Sequence, residues 1–153
     1  MQASHQHAHV LVHHERKVAI KICELDAEKK FADFCIENPT LSLPNTERVP
    51  NPLEACEFDC VYIAEMSLLT KLKKSDRAAI ETWYKQYLLH RQNSESQSIS
   101  DQFGLLETLN SLYERAAEVK PKLGVDFKPD NVMQNDAGAY IIIDGFMLSL
   151  IHI

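Results

Sequence analysis

Glycine is scarce in this chain: four in 153 residues, with none before Gly104. The first two-thirds therefore has no residue that lets the backbone fold closely over a phosphate or take a left-handed turn at little cost. Cysteine is sparse too. Cys23, Cys35, Cys56 and Cys60 are too few and too scattered for a disulfide scaffold at this length. Cys56 and Cys60 lie four apart without a second Cys/His pair, so a zinc site would have to borrow the N-terminal histidines, and free thiols are the expectation. Positive charge is in deficit: 16 Lys and Arg against 22 Asp and Glu leave −6, which argues against wholesale binding of a nucleic-acid backbone. No apolar run approaches the ~20 residues of a membrane-spanning helix. The His- and Gln-rich start lacks the apolar stretch of a signal peptide. A cytoplasmic protein with neither nucleic acid nor membrane as partner is expected.

What is present suits one globular domain. Hydrophobic residues make up 45% and charged residues 25%, enough for a single core at this length. Val18, Ile20 and Ile22 alternate with Lys17, Ala19 and Lys21, which predicts a strand; with the apolar run His9–Val12 before it, residues 9–23 read as a hairpin. Asp26 can cap a helix to about Glu37 with Ala27, Phe31, Phe34 and Cys35 on one face, and Asn38-Pro39 ends it. Pro39, Pro44, Pro50 and Pro52 mark an irregular crossing over 38–57, with one short strand near Val49. A strand is expected over Phe58–Ala64, and the lysines of 71–74 read as the end of a short helix. A longer helix runs from Asp76 to about His90 on Ile80, Trp83, Tyr84 and Tyr87. Polar residues 92–100 form a loop. Leu105, Leu109, Leu112 and Ala116 place a helix over Asp101–Val119, and Val132–Gln134 with Ala139–Ile143 flank the turn sequence Asn135-Asp-Ala-Gly138 as a hairpin. Strands first, helices later and a closing hairpin make an α+β pattern.

The closing segment carries the chemistry. Asp126, Asn131 and Asp144 sit around a hairpin of branched aliphatics, in Gly124-Val-Asp-Phe-Lys-Pro-Asp-Asn131 and Ile141-Ile-Ile-Asp-Gly145. One Asp can orient or deprotonate an attacking hydroxyl, Asn131 and Asp144 offer hard oxygen ligands for Mg²⁺, and Lys128 can neutralise a transferred phosphoryl group.

These residues resemble the eukaryotic-like protein kinase family. Asp126-Phe-Lys-Pro-Asp-Asn131 keeps that family's five-residue step from catalytic Asp to Asn, Asp144 follows thirteen residues later, and Val18-Ala-Ile-Lys21 matches its strand lysine motif. The resemblance implies a single kinase-like domain over 1–153: a small antiparallel-sheet N-lobe to about residue 64, a hinge at 65–70 and a reduced helical C-lobe over 71–153. It implies ATP and Mg²⁺ as cofactors. Asp126 and Lys128 would be catalytic, Asn131 and Asp144 would bind metal, and Lys21 would grip the α- and β-phosphates. Tyr62-Ile-Ala-Glu-Met66 would lead into the hinge, with Ala64 as a small gatekeeper and Glu65 and Met66 beginning the adenine contact. Glu37 rather than Glu28 would pair with Lys21, because its sixteen-residue spacing is nearer the family's.

The departures bear on activity. Ala3, His5 and Ala8 stand where a glycine-rich loop would have glycines, Gly124-Val125 replaces His-Arg before Asp126, and Asp-Phe-Gly becomes Asp144-Gly-Phe146. Only nine residues follow Asp144, so the resemblance covers nearly the whole chain but about the first two-thirds of the family's domain; short phage or bacterial kinase-like proteins are similar. Three readings follow: an ATP-dependent phosphotransferase acting on a protein or small hydroxyl substrate, a pseudokinase-like module that inhibits or scaffolds a protein partner, and a truncated product with an apolar end at Leu148–Ile153. Pairing of two copies through the helices is a further expectation.

Overall fold

The computed structural model describes residues 8–49, 62–93, 99–119 and 123–148. The alternation at the start of the chain forms a hairpin of β1 (Ala8–His13) and β2 (Val18–Cys23). β4 (Tyr62–Ser67) pairs with the other side of β2, and β3 (Thr46–Val49) closes the edge, so the antiparallel sheet runs β1-β2-β4-β3. The strand expected over Phe58–Ala64 is present from Tyr62 and extends further. Its residues 58–61 lie outside the described residues, and it continues through Glu65, Met66 and Ser67. Burial explains the extension: Tyr62, Ala64 and Met66 are buried while Ile63, Glu65 and Ser67 are half-buried, so the period of two persists past Ala64.

Helix α1 (Asp26–Glu37) ends where expected and buries Ala27, Phe31, Phe34 and Cys35, but Asp26 does not cap it: Leu25 stands at the cap without a side-chain bond, and Asp26 is the first helical residue, its carboxylate accepting from Lys30 Nζ at 3.4 Å. The lysines of 71–74 do not end a helix. They divide between β5 (Thr70–Lys71) and the first turn of α2 (Lys74–Gln92). α3 (Leu106–Glu118) starts later than Asp101, whose Oδ1 accepts the N–H groups of Leu105 and Leu106 at 2.9 and 3.1 Å and so caps the turn before it. β6 (Leu123–Val125), a single 3-10 turn at Pro129–Asn131, β7 (Val132–Gln134), β8 (Tyr140–Ile142) and β9 (Phe146–Leu148) complete the described elements. The closing hairpin is β7–β8: Asn135 Oδ1 accepts from the Ala137 and Ala139 amides, and Gly138 takes φ +82°. Two further antiparallel pairings, β5 with β7 and β6 with β9, tie the ends of this region together.

The architecture is α+β, with antiparallel sheets and three helices among the described residues. Its main core joins Phe31 and Phe34 of α1 to Ile80, Trp83 and Tyr87 of α2, Leu109 and Leu112 of α3, and Phe146 of β9. A smaller cluster of Cys23, Ala32, Tyr62, Ala64 and Met66 lies between the sheet and α1. α1 therefore serves both. Among the described residues, no helix is long and apolar enough to cross a membrane. Cys23 and Cys35 are free and buried, whereas Cys56, Cys60 and the apolar end 149–153 lie outside the described residues.

Candidate functional site

The pleat of β2 puts Ala19, Lys21 and Cys23 on the face that α1 partly covers, leaving Val18, Ile20 and Ile22 on the other. This inverts the usual arrangement, in which branched aliphatics take the covered side. Across the sheet, Lys21 stands opposite Ala64 of β4 and Val10 of β1, and Ala19 stands opposite Met66 and Val12. Near α1 the face is filled by Cys23, Ala32, Tyr62 and Ala64. Toward the other end it opens into a cavity of about 230 Å³ lined by Val10, Val12, Ala19, Lys21, Pro44, Met66, residues 67–69, Met133 and Ile143. Its walls are apolar, and among the described residues Lys21 is the single charged one lining it.

A second group of residues is laced together by backbone bonds. The Asp126 amide donates to Gly145 O at 2.9 Å and the Ile143 amide to Asn131 O at 2.8 Å. Asn131 Nδ2 donates to Asp126 O at 3.0 Å, which leaves its side-chain oxygen as a free acceptor. Asp144 lies between the two bonded positions, 143 and 145, and is thereby set beside Asp126 and Asn131. Lys128 Nζ is 3.6 Å from Asp126 Oδ1. Gly145 is required for this passage: a Cβ there would come within 2.9 Å of both Leu112 Cδ2 and Phe31 Cε2.

The Asp144 carboxyl accepts the Phe146 backbone amide, but its Oδ1 is buried without a hydrogen-bond partner among the described residues. Burial pushes the Asp144 carboxyl above its ordinary range, Lys21 pulls it down, Asp126 pushes it up and Lys128 pulls it down, so all three charges reach it. Among the described residues no three His, Cys, Asp or Glu gather into a metal cluster. The donors here are instead two carboxylates and one amide oxygen, and hard oxygen donors suit Mg²⁺ rather than zinc. A buried carboxylate oxygen without a donor is the acceptor such a cation would satisfy. The residues fit the ion.

Comparison of the chain with protein-family models, with curated proteins and with solved structures finds no match in any of the three. The geometry of the chain itself therefore carries any functional reading.

Of the residues singled out in the sequence, Lys21, Asp126, Lys128, Asn131 and Asp144 come within electrostatic or hydrogen-bonding reach of one another. Met66 lines the cavity, and Ala64 is fully buried directly across from Lys21. Glu65 points the other way, 3.8 Å from Arg16, and does not line the cavity. Glu37 does not join Lys21 either. It ends α1 facing α3, where its carboxylate is 2.7 Å from the Arg115 guanidinium. Glu28 is the buried acid of α1, and its charge and that of Lys21 act in opposite senses on the Cys23 thiol. Helix phase could have shown this, since Glu28 shares a stripe with Ala32 and Cys35 at i+4 and i+7. Pro44, Leu68, Leu69, Met133 and Ile143 also escaped the sequence reading, because the cavity they wall is built from segments remote in sequence.

Proposed function

We propose that this chain is a kinase-like phosphotransferase that binds ATP with Mg²⁺ and moves the γ-phosphate to a hydroxyl of a protein or small substrate. The observation that carries this reading is one juxtaposition: a lysine in an apolar cavity, within reach of a half-buried carboxylate that is bracketed by Asp126 and Asn131 and whose Oδ1 has no donor among the described residues. The order of elements supports a protein-kinase-like arrangement, with the lysine on a small sheet and the Asp–Asn–Asp set in the segments that join β6 to β7 and β8 to β9, beyond a short connection at 68–69.

On this reading the base occupies the apolar cavity, and Lys21 neutralises the phosphates. Asn131 and Asp144 would hold Mg²⁺, which when bound offsets phosphate charge. Asp126 accepts the hydroxyl proton as that oxygen attacks the γ-phosphorus; the bond to the bridging oxygen breaks, and ADP leaves with its electron pair. Lys128, beside Asp126, stabilises charge on the group in transfer. Calorimetric titration of Mg²⁺-ATP into the wild type, Lys21→Ala and Asp144→Ala tests the site. Micromolar, magnesium-dependent binding weakened at least tenfold in each variant is expected. A folded wild type that binds no nucleotide overturns the proposal.

A second reading, a catalytically silent module that docks on a protein partner, draws on the lack of glycine before Gly104 and on Gly124-Val125 in place of His-Arg. It predicts nucleotide binding or none, but no ADP release from ATP in the presence of any hydroxyl acceptor.

A further inference from the structure

Beside the Lys21 cavity lies another of about 520 Å³, whose lining includes Lys71, Arg77, Asp130, Met133 and Ile143. Met133 and Ile143 wall both cavities, so the two abut. Asp130 belongs to the loop between Asp126 and Asn131, and its Oδ1 holds Arg77 Nη1 at 3.0 Å. That bond fixes the start of α2 to the loop that carries the proposed base. The second cavity therefore opens next to the place where an acceptor hydroxyl has to arrive.

The segment 71–77 lends Lys71 and Arg77 to the lining and so forms part of its lip, and this segment is rich in lysine in a chain of net charge −6. Lys71, Lys73 and Lys74 are exposed, and among the described residues none of them forms an ion pair. Arg77 is neutralised by Asp130, and Asp76 is the remaining carboxylate within this stretch. From Lys71 to Arg77 the cations spread over at most roughly 14 Å, taking about 3.3 Å per extended residue and 1.5 Å per helical one. A compact single anion would engage one end of such a row. An extended segment with carboxylates on successive residues matches its length and its sign.

We propose that this lip is an acceptor subsite for acidic peptide, which holds a Ser or Thr hydroxyl flanked by Asp or Glu against the Asp126 loop. The inference rests on the phosphotransferase reading and names its substrate class. Complementary charge of this kind sets specificity and association rate and weakens with salt.

The test uses the full chain without nucleotide and two fluorescein-labelled probes, a Ser peptide flanked by Glu and the same peptide flanked by Lys, followed by anisotropy at low and high salt. Lys71→Glu and the pair Lys73→Glu/Lys74→Glu are measured alongside, with circular dichroism to verify folding and Mg²⁺-ATP titration in parallel. The acidic probe should bind, weaken with salt, and lose at least tenfold in the reversed-charge variants, while their Mg²⁺-ATP affinity stays within twofold of wild type. Equal binding of the two probes, no binding of the acidic one, or indifference to charge reversal overturns the subsite while the nucleotide reading stands. Failure of the wild type to bind Mg²⁺-ATP overturns both.

Discussion

A lysine on the covered face of a strand and a carboxylate oxygen buried without a donor both cost stability, because each gives up hydration that the fold does not fully replace. Lys21 and Asp144 hold those positions within reach of each other. If Asp144 is kept for ligand binding, its removal should relieve the fold. Asp144→Ala is expected to raise the unfolding free energy by about 1 kcal/mol in EDTA, on the scale of an unsatisfied buried group, as read from urea denaturation. A clear loss of stability would mean that the carboxylate is structural. The buried thiols make a separate prediction. Burial pushes Cys23 from its ordinary 9.0 up to about 11 and Cys35 up to about 12. Both are neutral in the fold at pH values where the unfolded chain already ionises. The unfolded state then binds fewer protons, so stability contributed by these thiols is complete below pH 9 and falls as pH rises from 9, through about 11 for Cys23 and about 12 for Cys35. The difference between the wild type and Cys23→Ala/Cys35→Ala in urea midpoint, followed from pH 8 to 11, isolates the effect.

At the scale of elements, the long periodic segments were legible and the short ones were not. α1, α2 and α3 each carry an apolar stripe over about two turns or more, and Asn135 with Gly138 announces the β7–β8 turn through side-chain acceptance and a left-handed φ. β6 and β9 are three residues each, too short for a period, and are paired across more than twenty residues of chain. The polar Glu65 and Ser67 masked the continuation of β4. Asp126, Asn131 and Asp144 could be singled out by their short spacings within the closing segment, and Lys21 by the Val18-Ala-Ile-Lys21 motif on β2. The cavity could not, because strands, a proline and a hairpin converge on it only in the fold. The start of α3 offers a direct check. Asp101 Oδ1 accepts two backbone amides that would otherwise lack partners, so Asp101→Ala should destabilise the protein by about 0.5–2 kcal/mol. Asp101→Asn, which keeps an acceptor oxygen, should recover most of that loss in chemical denaturation.

Across the whole molecule, α1 is the joint. Its Ala32 packs with Cys23, Tyr62, Ala64 and Met66 in the cluster between helix and sheet, and its Phe31 and Phe34 rings meet Phe146 edge-on, with centroids at 6.0 and 5.7 Å. The Glu37–Arg115 pair adds a partly exposed tie to α3, of a kind worth little by itself. Lys21 on the sheet and Asp144 beyond it hold their relation through this helix, and so the sheet and the helical region should unfold together. The lone tryptophan, Trp83, stacks on Tyr87 and donates to Ser100 O, so its fluorescence reports the helical region, whereas far-UV circular dichroism sums over both. In urea the two signals should superimpose on one transition. Phe146→Ala removes the ring that both α1 phenylalanines contact, at a cost of about 3–5 kcal/mol. It should split the curves, with part of the dichroism lost before Trp83 is exposed. Separate transitions already present in the wild type would show that α1 does not couple the two parts, and that the alignment of Lys21 with Asp144 is set only when a ligand bridges them.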